Sequence, residues 1–351
     1  MTTNTLRSVQ FSENLSGTPS HSLIHNIDGY GFQRPEGFDF DSYEEFMSSY
    51  LTILAKRSAR WTSIVRRRGT VSKSAKVKRF CRKGIPAEHR PMVWMNVSGA
   101  AQKMRENPGL YAQILKADYD PRLVETVSMD INRTFPENIY FAVSRDRNSL
   151  QRPLFNVLVA IGHKNSKVEY CQGMNFVVAL MLLVMKNEEK AFWLMDTLIN
   201  NILPDYYNPD MTAIKVEQEV LGELVRLRDP ELHSKIERLE VPWCLVGIKW
   251  FLCLFADVLP TETVLRIWDC LFYEGPKILL RVAVTIILIN KDKFMRCTNF
   301  SEATTVLRNI INDSKSVMDC HAFIQKIFTE PKSFPRAKIK KLRKECITKI
   351  R

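Results

Sequence analysis

Two short polar clusters in this 351-residue chain carry residue types suited to chemistry. The first is Asp130-Ile131-Asn132-Arg133-Thr134-Phe135-Pro136, an arginine three residues after a carboxylate. It lies at the end of a predicted helix that opens on Asp120-Pro121, an N-cap followed by proline at the first helical position, and that Pro136 closes. At about 100° per residue Leu123, Val124, Val127 and Ile131 share one face. Arg133 falls roughly 135° from the centre of that face, with Asp130 on its flank. The arginine is expected to project outward near the helix end with a carboxylate able to orient it; the same spacing also describes an ordinary i, i+3 ion pair of about 0.2–0.5 kcal/mol. The second cluster is Tyr170-Cys171-Gln172-Gly173-Met174-Asn175, directly before the most apolar stretch of the chain. Gln172 there either caps the following helix or presents its amide, donor and acceptor together, to a water or a phosphate.

Other conventional chemistry is missing from the sequence. The six histidines are scattered at 21, 25, 89, 163, 233 and 321, with no HExxH and no helical pair. The eight cysteines form no CxxC, so a zinc or redox site is not expected. No GxGxxG, GxxxxGK[ST] or GxSxG appears, so the chain is expected to bind no nucleotide cofactor of its own. The N-terminus lacks a basic start followed by an apolar core, which favours a reduced, cytoplasmic setting.

Helices are what must hold these clusters. Proline and glycine punctuate successive apolar-periodic segments, among them Pro153–His163, Gly173–Met185, Pro242–Phe255, Thr261–Tyr273 and Pro276–Asn290. Strand alternation is nearly absent, so the expected fold is all-α with more than ten helices. The run Phe176 to Met185 is ten apolar residues, half of a membrane span of about 20, and reads as a buried helix. Residues 1–35 are polar and aperiodic, a flexible tail expected to be removable at little cost. Residues 36–79 hold an N-terminal helix starting near Asp41 or Ser42, with Glu45 placed for a capping box, and a basic loop over 66–79. The main body spans 80–330, and a basic amphipathic helix occupies 331–351.

Charge is clustered. The net +13 is concentrated in residues 56–90, with 13 basic residues against Glu88 alone, and in residues 331–351, with 9 basic residues against one acidic. Such segments suit weak contact with an anionic membrane surface. Ile339, Leu342, Cys346, Ile347 and Ile350 share the last helix with these charges, and they either enter a bilayer interface or pack on the body. No RRM-like motif and no Cys/His finger accompanies the basic runs, so nucleic acid is not an expected partner.

Taken in order, these segments resemble the TBC-domain family of GTPase-activating proteins for Rab GTPases. The resemblance opens with Arg82-Lys83-Gly84-Ile85-Pro86 and Arg90-Pro91-Met92-Val93-Trp94, similar to GIP…RxxxW. Val127-Ser128-Met129-Asp130-Ile131-Asn132-Arg133 looks like IxxDxxR with Val for Ile, Tyr170-Cys171-Gln172 like YxQ, and Arg266-Ile267-Trp268-Asp269 like RIWD. The resemblance covers about residues 80–330. It implies a two-lobed all-α domain that stimulates GTP hydrolysis by a GTP-bound Rab in vesicle trafficking, an activator rather than a nucleotide hydrolase, with GTP and magnesium bound by the partner. It implies Arg133 as an arginine finger and Gln172 as a glutamine finger, with Asp130 orienting the first and Tyr170 fixing the loop of the second. Arg90, Trp94, Gly173, Arg266, Trp268 and Asp269 are the motif residues expected to be structural. The alternative is a non-catalytic Rab-binding scaffold of the same fold. A cytoplasmic location, peripheral at membranes carrying the target Rab, follows from the same resemblance.

Overall fold

Several helices of this chain begin at a side chain that accepts from their first free backbone N–H groups, the interaction that fixes where a helix can start. Asp39, Ser74, Asp120, Asn187, Asp229 and Asp319 all do so, at 2.8–3.2 Å. A computed structural model of the protein describes residues 27–34, 36–66, 70–142, 148–165, 168–309 and 319–350. Within these the elements are α1 (Phe40–Arg66), α2 (Ala75–Lys83), a 3-10 turn (Ala87–His89), α3 (Arg90–Ser98), α4 (Ala100–Glu106), α5 (Leu110–Ile114) and α6 (Pro121–Ile131). Then come α7 (Gln151–Lys164), α8 (Met174–Met185), α9 (Glu188–Thr197), α10 (Thr212–Arg228), α11 (Pro230–Arg238) and α12 (Trp243–Leu252). The last six are α13 (Thr261–Glu274), α14 (Lys277–Ile289), α15 (Lys291–Arg296), α16 (Phe300–Asn309), α17 (Cys320–Thr329) and α18 (Arg336–Ile350). Among the described residues there is no sheet, only two isolated bridges, Ile27 with Gln33 and Phe32 with Asn138.

The helices form two groups. α3 to α9 pack on one another around α8, eleven of whose twelve residues are buried; the apolar run is a core helix, as its length suggests. α10 to α18 form the second group around α10, α13 and α14. They are fused where α3 crosses α13, and one apolar core runs through both. Four tryptophans, Trp61, Trp94, Trp193 and Trp268, are fully buried in it. Among the described residues no helix is long and apolar enough to cross a membrane.

Three expectations are corrected, and one open alternative is decided. The expected tail is docked over residues 27–34: Tyr30 reaches the interior to hydrogen-bond Glu262 at 2.6 Å and Arg90 at 2.8 Å, and Phe32 meets Phe135 edge-on at 5.0 Å. Two aromatic anchors, Tyr30 and Phe32, do the work that a longer apolar period would have signalled; residues 1–26 and 35 of the expected tail lie outside the described residues. The first long helix starts at Phe40, one residue before Asp41, and its capping side chain is Asp39 in place of the expected box at Ser42 and Glu45. The last five residues of the expected basic loop, 75–79, belong to helix α2, because Ser74 caps it and Val77 and Cys81 bury one face against α13. Finally, α18 lays Ile339, Leu342 and Cys346 on α10, with Arg343 paired to Glu217 and Lys349 to Glu223. The apolar face that would enter a bilayer is already used.

Candidate functional site

Arg133 stands just past the end of α6. Its backbone N–H bonds to the Asp130 carbonyl at 3.3 Å, prolonging the turn, and Thr134 Oγ1 donates to the same carbonyl at 2.6 Å. Phe135 then takes a left-handed conformation, φ +48°, costly for a bulky side chain and held by packing. Its ring sits edge-on to Phe32 and Phe176, at 5.0 and 5.1 Å, closing the backbone turn against the body. The Arg133 guanidinium is ion-paired with Asp130. The pair is asymmetric: the Arg133 side chain is 54% exposed and that of Asp130 only 4%. A surface i, i+3 pair would have both ends in water; here a buried carboxylate steers a solvent-facing arginine.

The second oxygen of Asp130 accepts from the Tyr170 hydroxyl, so one carboxylate joins both clusters. Burial, then the Asp130 carboxylate, pushes the Tyr170 hydroxyl far above its ordinary range, and it stays a donor. Gln172 is exposed, at the tip of the turn before α8. It does not cap that helix. Gly173 occupies the N-cap position, and its N–H is taken by Asn175 Oδ1 at 3.0 Å. Gly173 has φ +110°, and a Cβ there would lie 3.0 Å from Leu252 Cγ, so glycine is required twice over. Asn175, fully buried in the first turn of α8, also donates to Thr134 Oγ1 at 2.8 Å, a second tie between the Arg133 and Gln172 segments. Beside them a concavity of about 250 Å³ is lined by Arg133, Phe135, Pro136, Glu137, Phe176 and Asp257. Burial raises the Cys171 thiol, so it is not a nucleophile for this site.

The remaining motif residues lie elsewhere, around Asp269. Arg90 Nε, Trp94 Nε1 and Ile85 N all donate to this buried carboxylate, at 3.3, 2.9 and 3.0 Å, and Arg266 Nε lies 3.7 Å from it. Burial disfavours the Arg90 charge, but Asp269 and Glu262 outweigh that and hold the guanidinium firmly protonated. Gly84, φ +110°, lets the α2 terminus close over Arg266; a Cβ would lie 2.7 Å from its Cζ. Trp268 is the connection to the site: Nε1 donates to the Leu254 carbonyl at 3.1 Å, fixing the turn whose residues Leu252 and Cys253 back Gly173.

Sequence reasoning overlooked Thr134, Asn175 and Phe135 as the scaffold of the two clusters, and Tyr30 and Glu262 as ligands of Arg90. A signal existed for Asn175, a lone polar residue at the head of an otherwise apolar helix. None existed for Tyr30, whose partners are 60 and 232 residues away. Among the described residues, no three His, Cys, Asp or Glu side chains converge as metal ligands would.

Residues 87–295 match the Rab-GTPase-TBC domain family. The chain is 49% identical to growth hormone-regulated TBC protein 1 of Homo sapiens over 329 residues, covering 94% of this chain and 97% of that protein. It is 48% identical to growth hormone-regulated TBC protein 1-A of Danio rerio, covering 95% and 96%. Among solved structures, the Chlamydomonas flagellar RabGAP TBC domain superposes with a TM-score of 0.73 at 31% identity, covering 86% of this chain and 99% of that one.

Proposed function

The chain belongs to the Rab-GTPase-TBC domain family, and on that premise we propose that it activates GTP hydrolysis by a Rab GTPase, with Arg133 and Gln172 supplied in trans. The observation that carries this reading is the Asp130 carboxylate, which from one buried position holds the exposed Arg133 and, through Tyr170, the segment presenting the exposed Gln172. An arginine finger needs a guanidinium that is free to leave water for a phosphate yet restricted in direction. Arg133 projects its planar fork from a turn packed through Phe135, with its direction set by the Asp130 carboxylate. Its charge meets the negative charge that grows on the phosphoryl oxygens in the transition state, a contribution of about 10³–10⁵ in rate for such fingers. Gln172 brings an amide whose carbonyl accepts from the attacking water and whose NH₂ donates to a phosphate oxygen. GTP and magnesium belong to the partner, which binds in its GTP form. Met129, 63% exposed one helical turn before Arg133, offers an apolar contact for that partner beside the finger.

Single-turnover hydrolysis across purified, GTP-loaded Rabs tests this. On a responsive Rab, Arg133→Ala should remove on the order of 10³-fold of the stimulation, and Arg133→Lys should do little better because it loses the fork. Gln172→Ala should slow hydrolysis while leaving Rab binding intact. A Rab lacking its own switch glutamine should still respond to the wild-type chain. Folded variants at Arg133 and Gln172 with wild-type stimulation would refute the assignment.

A further inference from the structure

The turn that carries Arg133 has two supports of different origin. Upstream it continues α6, whose Asp130 is buried. Downstream, residues 135–139 leave the helix and form only turns and one bridge, so their backbone groups must find partners elsewhere. Many of those partners lie in the N-terminal segment 27–34. The Gln33 N–H donates to the Glu137 carbonyl at 3.1 Å, and the Ile139 N–H donates to the Gly31 carbonyl at 2.9 Å. Asn138, fully buried, donates its side-chain amide to the Tyr30 carbonyl at 3.0 Å, across 108 residues of chain. The segment is itself fastened. The Asp28 carboxylate accepts from the Tyr30 and Phe32 N–H groups at 2.8 and 2.9 Å, fixing the tight loop from which both rings leave. The Tyr30 hydroxyl is held by Glu262 on α13 and Arg90 on α3, where the two helix groups are fused.

Phe135 is where this matters. Its φ of +48° is unfavourable for a bulky side chain and persists only where the surroundings over-determine it. The rings around it are Phe32 at 5.0 Å, Phe176 of α8 at 5.1 Å and Phe141 at 6.3 Å. Phe32 meets it edge-on, a geometry that aromatic pairs favour. Phe135, Pro136 and Glu137 also form one wall of the concavity beside Arg133. Without the Phe32 ring, Phe135 loses one side of its packing and can relax toward an ordinary φ. Arg133 stands two residues upstream in the same turn, so that relaxation moves the base from which its guanidinium projects. Residues 27–34 lie outside the stretch 87–295 that matches the family, so the site draws on a part of the chain beyond the matched domain.

Resting on the finger assignment above, we propose that segment 27–34 positions the arginine finger, with Phe32 as the positioning residue. It acts through Phe135 to set where Arg133 stands, while Tyr30 ties the segment to the junction of the two helix groups.

The test uses the full chain with a responsive, GTP-loaded Rab in single-turnover hydrolysis. Phe32→Ala should lower the stimulated rate at saturation by about tenfold, the scale of a slightly misplaced catalytic group, and leave the concentration for half-maximal stimulation unchanged. Phe32→Tyr keeps the ring at a partly buried position and should retain the wild-type rate. Adding Phe32→Ala to Arg133→Ala should cost little further, because both act through one guanidinium. Phe334→Ala removes a buried ring beside Arg281 and controls for lost stability; its rate per folded molecule should equal that of the wild type. Hydrogen exchange supplies a readout that needs no Rab. In Phe32→Ala the amides of Arg133, Thr134 and Asn138, which bond within their own turn, should exchange about tenfold faster or more, with those of α10 unchanged. Unchanged exchange at these three amides overturns the proposal, whatever the kinetics show. So does an equal loss of rate in Phe334→Ala. A wild-type rate for Phe32→Ala on a Rab for which Arg133→Ala is inactive overturns the proposal alone, whereas wild-type stimulation by Arg133→Ala overturns the finger assignment and the proposal with it.

Discussion

At the scale of single residues, Asp130 is the group on which most depends and the one that touches no partner. It acts through Arg133 and Tyr170, so it is a positioning residue. Asp130→Asn keeps the shape but removes the charge that steers Arg133 and half of the acceptor capacity that holds Tyr170. We expect the stimulated rate at saturating Rab to fall by about 10–10²-fold, the scale of a misplaced catalytic group, with the concentration of protein giving half-maximal stimulation little changed. Combined with Arg133→Ala, the loss should be well below the product of the two single losses, because both remove one steered arginine. Single-turnover kinetics on the three variants would show it. A plain stability defect would instead scale all of them with the folded fraction.

At the scale of elements, the finger loop depends on a backbone conformation that one residue type supplies. Gly173 combines a positive φ with close approach to Leu252 and Cys253, the turn that Trp268 fixes through the Leu254 carbonyl. Gly173→Ala adds strain and a contact with a packed neighbour, together about 1–3 kcal/mol. Urea unfolding should register that loss, and hydrolysis assays should show a drop in stimulation beyond the folded fraction, since the strained residue adjoins Gln172. This explains in physical terms why two distant motifs serve one site: the second end of the chain supplies the wall against which the first end's loop is set.

At the scale of the molecule, buried charges tie the two helix groups and the N-terminal segment together. Tyr30 is held by Arg90 and Glu262 at once, and burial pushes its hydroxyl upward, so it remains a neutral donor. Tyr30→Phe leaves both charged partners short of a hydrogen bond and should cost about 1.5–3 kcal/mol by chemical denaturation. Acid stability depends on Glu274. Burial opposes its charge, but Arg82 and Lys277 prevail and hold its carboxyl down to about 2, against 4.5 ordinarily. A carboxylate whose folded value is depressed stabilises the fold above its unfolded value and loses that contribution as pH falls. The wild-type chain should therefore lose stability between about pH 4.5 and 2 more steeply than Glu274→Gln. The variant should be the weaker of the two at neutral pH, with the gap closing toward pH 2; equilibrium urea midpoints along a pH series would measure it.

The sequence by itself determined the helical class, the core helix at Phe176–Met185 and the two polar clusters, because these rest on local order: capping side chains, apolar period and short motif spacing. The outward placement of Arg133 was also legible, since one helix wheel fixes it. Only the tertiary structure decided that Asp130 is buried and shared, that Asn175 and Thr134 knit the clusters together, and that Gln172 is presented rather than used as a cap. The first two depend on contacts across about 40 residues, which no local pattern encodes, and the third on Asn175, which takes the Gly173 N–H while it is tied to Thr134. The same holds for the basic segments. Composition located their charge, but whether an amphipathic face meets a membrane or α10 is settled by what packs beside it.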